Sequence, residues 1–240
     1  MNLLLLRSDD FLDPQHVRLC GQRLDHINEI LGSQANDALR VGLINGLCGT
    51  ARLLSINSTE ATLHVTLDTP PPAPLPLTVV LALPRPKMLR RILKNTAEFG
   101  IKQLHLINSY KVEKSYWQTP ALKPETCKAY FEEGLIQAKD TVMPELHLHK
   151  RFKPFVEDHL PTIIDGQQAF VAHPYNAEPM PSPSTEKRVI VIGPEGGFTD
   201  YEIDLLQQQG VKTISMGQRI YRVENALTRL TCQLSATPHG

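Results

Sequence analysis

The sequence predicts an α/β protein with a mainly parallel sheet, preceded by a smaller β domain. Beyond residue 76, apolar runs typical of buried strands alternate with amphipathic helical stretches, as in parallel α/β folds. Before residue 69, several short β-patterned runs follow one another. A proline run over 69–76 separates the two patterns and favours an extended spacer. We therefore predict two domains, residues 1–72 and residues 73–240.

In the first domain, four short runs have the apolar content or the alternation of strands, with glycines and polar clusters between them. These strands are predicted at 3–6, 40–44, 51–56 and 61–67. Two helical stretches are predicted near 14–20 and 24–31. Several short strands in about 70 residues are typical of a small barrel or sandwich.

In the second domain, strands and helices alternate. The strands are predicted at 78–83, 101–107, 145–149, 169–172, 189–192 and 211–216, and the helices at 86–99, 124–138, 200–209 and 223–234. Pro86 is suited to a helix start and Gly100 to the position after a helix end. The segment from Thr199 to Glu202 has the pattern of a capping box. The segment 178–185 is predicted to be a loop.

The composition is that of an ordinary globular protein, with 41% apolar and 21% charged residues. No apolar run approaches the roughly 20 residues that span a bilayer, and the first residues do not have the pattern of a signal peptide. The four cysteines form no CxxC pair, and no histidine spacing is typical of a zinc site. We therefore expect a cytoplasmic protein with reduced thiols, without a membrane partner and without a metal.

The formal net charge is zero, but the charge is unevenly distributed. Residues 85–153 contain fourteen basic and seven acidic residues, a net charge of +7, whereas both flanking regions are acidic. The densest basic stretch contains Arg85, Lys87, Arg90 and Arg91. A local basic patch on a neutral protein is typical of a surface that binds phosphates, so these four residues are candidates for RNA binding. The alternative is that they only solvate a helix surface.

The most informative segment runs from Val189 to Thr199, where a buried strand leads through a turn with three glycines into a capped helix. Ligands of open α/β sheets bind at such strand ends, and glycine lets the backbone approach a ligand closely. The segment has neither the phosphate-loop pattern nor the dinucleotide GxGxxG pattern. A purely structural turn is the alternative. A similar glycine turn follows the next strand and leads into the last helix through 219–226, which contains Arg219, Arg222 and Glu224. The alternative for these three residues is a surface salt-bridge cluster without a functional role.

Two of these segments carry a specific resemblance. The stretches 192–198 (IGPEGGF) and 216–226 (MGQRIYRVENA) resemble the signature of the ribosomal RNA small subunit methyltransferase E family, in the knotted SPOUT class. Shorter matches occur in family order at 83–87, 108–109, 113–117, 137–138 and 172–174. Tyr221 stands where the family usually has leucine, and Asn225 where it usually has threonine.

The resemblance implies an S-adenosylmethionine-dependent enzyme that methylates N3 of a uridine in 16S rRNA of the small ribosomal subunit. It implies a deep trefoil knot in the C-terminal SPOUT domain, a PUA-like RNA-binding barrel at the N-terminus, and a homodimer. It also implies that three loops hold the cofactor. The residues of these loops are Ala172, His173, Pro174, Ile192, Gly193, Pro194, Glu195, Gly196, Gly197, Met216, Gly217, Ile220, Tyr221, Arg222, Val223, Asn225 and Ala226.

For the reaction itself, we assign catalytic roles to Arg222 and Glu224. Arg222 is expected to stabilise the uracil or a neighbouring phosphate, and Glu224 to order the loop or accept a hydrogen bond. Base pairing hides N3, so the target base must be single-stranded or flipped out. Two alternatives are open: a non-catalytic RNA-binding or ribosome-assembly protein with the same fold, or a knotted methyltransferase with a different RNA target.

Overall fold

The computed structural model describes residues 3–25, 27 and 37–236. Its contacts divide the chain into two compact units. The first comprises Met1–Ala73 and Glu132–Met143, and the second comprises Pro74–Phe131 and Pro144–Gly240. The proline run gave no indication that the segment 132–143 would pack with the N-terminal strands.

In the described part of the first unit, six strands form one sheet. They are β1 (Leu4–Leu6), β2 (Phe11–Asp13), β3 (His16–Leu19), β4 (Ala38–Leu43), β5 (Cys48–Ile56) and β6 (Ala61–Thr69), with a short helix α1 (Gln22–Asp25). The order is β1-β4-β5-β6-β3-β2, with β1 parallel to β4 and every other pair antiparallel. Alternate residues of these strands build the core, including Leu6, Val17, Leu53 and Leu63.

The prediction of a helix near 14–20 is wrong, because residues 16–19 of this segment form strand β3. Val17 and Leu19 are fully buried, Arg18 between them is exposed, and Val17 pairs with Leu63 of β6. This alternation has the period of a strand, and a run of four residues was too short to reveal it. Of the helix predicted near 24–31, α1 contains the first two residues, and most of the remainder lies outside the described residues.

In the described part of the second unit, seven strands form a sheet in which every pair is parallel. They are β7 (Leu77–Ala82), β8 (Gln103–Ile107), β9 (Glu145–His149), β10 (Gln168–Ala172), β11 (Glu178–Pro179), β12 (Arg188–Ile192) and β13 (Lys212–Ser215). The order is β11-β13-β10-β12-β7-β8-β9. The predicted α/β class with a mainly parallel sheet is confirmed. The short strand β11 lies in the segment predicted to be a loop.

Of the six α-helices that the structure describes beyond residue 76, four agree with the predicted helices and two were not predicted. The six are α2 (Pro86–Glu98), α3 (Pro124–Ala138), α4 (Phe152–Pro154), α5 (Leu160–Ile164), α6 (Asp200–Gln208) and α7 (Val223–Leu234), and a π-helical turn (Phe155–His159) joins α4 to α5. The predicted capping box is present, since the Thr199 hydroxyl accepts from the Glu202 amide and the Glu202 carboxylate accepts from the Thr199 amide. The stretch from α4 to α5 was not predicted.

The strand order brings three loops to one edge of the parallel sheet. Strands β13, β10 and β12 are neighbours, and all run in the same direction. Their carboxyl ends therefore lie side by side, and the loops that begin after Ala172, Ile192 and Ser215 meet there. Parallel α/β sheets bind their ligands at this edge.

Candidate functional site

A cleft of about 530 Å³ opens where these three loops meet. Its volume lies in the range of small-molecule and cofactor sites. The residues that line it are Lys111, Ala172, His173, Pro174, Tyr175, Ile192, Gly193, Pro194, Glu195, Gly196, Gly197, Phe198, Thr199, Asp200, Met216, Gly217, Arg219, Ile220, Tyr221, Val223 and Ala226.

The loop after β12 forms one wall of the cleft, and its glycines allow close packing. A Cβ atom at Gly193 would lie 3.1 Å from the ring of Phe198, which is buried. Gly197 has a φ of +70°, which L side chains rarely adopt, and its amide donates to the Pro194 carbonyl over 2.8 Å. The turn thus leaves main-chain groups facing the cleft.

The loop after β13 forms a second wall. Gly217 has a φ of +91°, and its amide donates to the Ser215 hydroxyl over 3.1 Å. The Tyr221 hydroxyl accepts a hydrogen bond from Arg229 of α7, whose guanidinium also lies 4.9 Å from the centre of the tyrosine ring. Arg229 therefore fixes the orientation of an aromatic ring that lines the cleft.

The loop after β10 forms a third wall. The His173 amide donates to the Ile214 carbonyl over 3.0 Å, and the rings of His173 and Tyr175 meet edge to face at 5.7 Å. Burial lowers the pKa of His173; the Asp200 carboxylate opposes this shift, and the Lys111 ammonium adds to it. The charged groups of Lys111 and Asp200, which come from other segments, therefore act on His173 within the same cleft.

Most of the residues predicted to bind a cofactor line this cleft. They are Ala172, His173, Pro174, Ile192, Gly193, Pro194, Glu195, Gly196, Gly197, Met216, Gly217, Ile220, Tyr221, Val223 and Ala226. Within the described part of the chain, the cleft lining does not include the other two, Arg222 and Asn225, and both are exposed.

The residues predicted to be catalytic lie beside the cleft lining. Arg222 is the exposed N-cap residue of α7, between Tyr221 and Val223, which both line the cleft. Glu224 is in the first turn of α7 and is only 7% exposed. Arg222 is therefore exposed between two lining residues, whereas Glu224 is buried in the first turn of α7.

Six lining residues were missed by the sequence analysis: Lys111, Tyr175, Phe198, Thr199, Asp200 and Arg219. Five of them are in the three predicted loops or next to them. Lys111 is different, because it follows β8, and its Nζ donates to the Gly196 carbonyl over 2.7 Å. The signals for it were its position shortly after a predicted strand and its place in the basic region 85–153.

The four basic residues predicted to bind RNA are all exposed. Arg85 directly precedes α2, and Lys87, Arg90 and Arg91 are in its first two turns. The Arg85 guanidinium lies 3.9 Å from the Glu195 carboxylate of the glycine loop, and the Arg90 guanidinium lies 5.4 Å from the centre of the Tyr130 ring. The basic start of α2 therefore adjoins the cleft.

In the described part of the chain, no three or more histidine, cysteine or acidic side chains are grouped so that they could hold a metal ion. Among the same residues, no helix combines the length and the apolar character needed to cross a membrane.

Comparison with known proteins adds three findings. The family model of the RNA methyltransferase domain matches residues 71–235. The ribosomal RNA small subunit methyltransferase E of Treponema pallidum is 28% identical, with 100% of this chain and 92% of that protein covered. A second relative, ribosomal RNA small subunit methyltransferase E 1 of Borreliella burgdorferi, is 25% identical over 94% of both chains.

Among solved structures, the fold is similar to that of a ribosomal RNA small subunit methyltransferase E from Neisseria gonorrhoeae bound to S-adenosyl methionine. The TM-score is 0.76 at 19% identity, and 95% of each chain is covered. At this identity the likeness concerns the fold, which extends over both units.

Proposed function

Because the chain belongs to the RNA methyltransferase family, we propose that it transfers the methyl group of S-adenosylmethionine to N3 of a uridine in 16S rRNA of the small ribosomal subunit. The observation that carries this proposal is the cleft after β10, β12 and β13, which lies within the matched residues 71–235. Relatives named ribosomal RNA small subunit methyltransferase E support the rRNA as substrate.

The cleft suits S-adenosylmethionine in size and chemistry. Its volume of about 530 Å³ is sufficient for a nucleoside joined to an amino acid. A Cβ atom at Gly197 or Gly217 would meet no atom within 4 Å, so there is open space in front of the main chain at both positions. Apolar side chains such as Ile220, Tyr221 and Val223 suit an adenine ring, and the Glu195 and Asp200 carboxylates suit hydroxyl groups and positive charge.

When bound, S-adenosylmethionine supplies a methyl group that is already activated by its sulfonium centre. The protein therefore has mainly to hold donor and acceptor in line. The three loops fix the donor side, and Arg229 keeps the Tyr221 ring in one orientation. Such positioning accounts for a large share of the rate in reactions of this kind.

On the acceptor side, we propose that exposed Arg222 contacts the uracil or the phosphate next to it. Removal of the N3 proton creates negative charge on the ring, which a guanidinium stabilises. Buried Glu224 is in the first turn of α7, and we propose that it orders the loop that carries Tyr221 and Val223. The N3 proton passes to water.

RNA binding is proposed to extend over both units. The exposed cations Arg85, Lys87, Arg90 and Arg91 suit backbone phosphates beside the cleft. The six-stranded sheet of the first unit supports a PUA-like RNA-binding domain over residues 1–72, followed by the catalytic domain over 73–240. A trefoil knot in the second unit and a homodimeric, cytoplasmic enzyme are proposed from the family resemblance.

The test is methyl transfer from labelled S-adenosylmethionine to small ribosomal subunits from a strain that lacks this protein, followed by mass mapping of the modified nucleotide. We expect one methylated uridine, with the methyl group on N3. The Arg222→Ala variant should be slower by about a hundredfold. If the four basic residues are changed together to Ala, RNA affinity and its salt dependence should both fall.

Two other results would contradict the proposal. If the protein binds RNA but calorimetry detects no binding of S-adenosylmethionine, a non-catalytic RNA-binding protein is the better interpretation. If the label appears on a different base or a different RNA, the enzyme is a methyltransferase with another target.

A further inference from the structure

The loop after β8 reaches the cleft from a strand that supplies none of the three cofactor loops. Lys111 lies across the glycine turn: its Nζ donates to the Gly196 carbonyl over 2.7 Å, and a Cβ atom at Gly196 would lie 2.9 Å from the Lys111 Cδ. Because Gly196 has no side chain, the aliphatic part of the Lys111 side chain can pack against it. The ammonium is thereby held at the wall of the cleft.

The residue before this lysine is fixed at its backbone and exposed at its side chain. The Tyr110 amide donates to the Glu202 carboxylate over 2.8 Å, and Glu202 is only 3% exposed. Further along the loop, the Trp117 indole donates to the Asn108 amide oxygen over 3.0 Å. The Tyr110 side chain is nevertheless 85% exposed. An ordered backbone thus presents an aromatic ring to solvent.

Tyr110 directly precedes Lys111, which lines the cleft, and the lining itself contains exposed apolar groups. Tyr175 is 70% exposed and Ile220 is 78% exposed, and both line the cleft. Exposed aromatic rings next to cations are typical of surfaces that stack unpaired bases and hold their backbone. Lys111 and Arg219 are the lysine and arginine side chains of this lining within the described residues.

We propose that Tyr110 and Lys111 form the subsite for the acceptor base, in which the Tyr110 ring stacks on the extruded uracil and the Lys111 ammonium donates a hydrogen bond to one of its carbonyl oxygens. This inference rests on the proposed function, because it assigns the residues that hold its acceptor. Arg222 is then left for the neighbouring phosphate.

The charge of Lys111 gives this subsite a chemical role. Removal of the N3 proton to water leaves negative charge that is shared with the two carbonyl oxygens of the ring. A cation beside one of these oxygens favours the deprotonated ring, which is the better nucleophile. The other charged or titratable groups on the cleft lining are His173, Tyr175, Glu195, Asp200, Arg219 and Tyr221, and the Glu202 carboxylate accepts from the Tyr110 amide. The pKa of His173, lowered first by burial, is lowered further by Lys111, so the field of the lysine reaches that loop.

The first experiment compares the full-length protein with its Lys111→Met variant in single-turnover methyl transfer, with saturating S-adenosylmethionine and small ribosomal subunits, from pH 6 to pH 10. In the Lys111→Met variant we expect the rising limb of the pH–rate profile to shift to higher pH by about one unit. At neutral pH the variant should therefore be about tenfold slower than the wild-type protein. Lys111→Arg should restore most of the position of that limb. Lys212→Met is the matched control, since Lys212 is an exposed lysine at the amino end of β13.

The second experiment measures affinity for a short single-stranded RNA that contains the target uridine. Tyr110→Ala should weaken this binding by about tenfold, within the range for loss of one base–aromatic stack. Tyr201→Ala is the matched control, because Tyr201 is also an exposed tyrosine (57%) but is in α6 rather than in the loop that carries Lys111. Affinity for S-adenosylmethionine should be unchanged in the Tyr110→Ala variant.

The outcomes separate this inference from the function on which it rests. If the wild-type protein methylates no uridine, the proposed function fails. If the wild-type protein does so and Lys111→Met lowers the rate equally at every pH, or does not lower it, the role of Lys111 is refuted. If Tyr110→Ala and Tyr201→Ala bind RNA equally well, the stacking role of Tyr110 is refuted.

Discussion

Two cavities of nearly the same volume lie at opposite ends of the parallel sheet. The cleft at the carboxyl ends measures about 530 Å³, and a cavity at the amino ends of β7, β8 and β9 measures about 520 Å³. The first is lined by four glycines and by side chains from several loops. The second contains no glycine in its described lining and is bordered instead by side chains such as Lys102, Gln103 and Glu145. Volume therefore does not distinguish the two cavities, whereas the glycines in the lining do.

The amino-end cavity borders a cluster of four histidines, His105, His147, His149 and His159. The rings of His105 and His147 stack at 4.5 Å, and the His105 Nδ1 lies 3.2 Å from the His149 Nε2. His105 is 8% exposed, and Phe155 packs against His149 at 4.6 Å. The cluster runs from this cavity, which His105 and His147 line, to His149 at the last residue of β9, and its rings pack on one another and on Phe155.

The largest effect is expected from a matched pair of glycine substitutions. Gly217 borders the cleft, Gly166 precedes β10 at the other end of the sheet, and both have positive φ with open space at the Cβ position. Valine at either position should lower the free energy of unfolding by about 2 kcal/mol through backbone strain. Only Gly217→Val should also weaken S-adenosylmethionine binding, by a hundredfold or more. Calorimetry and urea unfolding measure the two effects, and equal cofactor affinity in both variants would refute the functional difference between the two ends.

The cleft illustrates what the sequence can predict. Periodicity, a proline at a helix start and a capping box are local signals, so β12, α6 and α7 were predicted to within a residue or two. The resemblance to the ribosomal RNA small subunit methyltransferase E family is confirmed. Lys111 was missed because its contact with Gly196 joins residues 85 positions apart. Strand β3 was missed because a strand of four residues takes its pattern from its neighbours in the sheet.

The histidine cluster should make stability dependent on pH. Burial, and then the charges of neighbouring histidines, lower the pKa of His105 from 6.5 to about 3 and that of His149 to about 4. In the unfolded chain these groups take up protons near pH 6.5, whereas in the folded protein they do so only near pH 3–4. Stability is therefore lost as the pH falls below about 6.5.

Between pH 7.5 and pH 5.5 the two histidines should lower the free energy of unfolding by about 2 kcal/mol, a figure reduced to allow for the partial exposure of His149 to water. Urea unfolding across this range measures the loss. The double variant His105→Gln and His149→Gln should show a flatter dependence, while its circular dichroism stays that of the folded protein. The same slope in both proteins would show that other groups are responsible.

The smallest effect is expected at the helix start beside the cleft. Thr199 caps α6, and its partner Glu202 also accepts from the Tyr110 amide, so one carboxylate joins the helix start to the loop after β8. Thr199→Ala should lower the free energy of unfolding by about 1 kcal/mol, the usual contribution of such a cap, and Thr199→Ser should restore it. Because the Glu202–Tyr110 bond does not involve the hydroxyl, RNA affinity should change less than in Tyr110→Ala. Equal losses of RNA affinity in Thr199→Ala and Tyr110→Ala would mean that the order of the whole carboxyl-end loop, rather than the Tyr110 ring, holds the RNA.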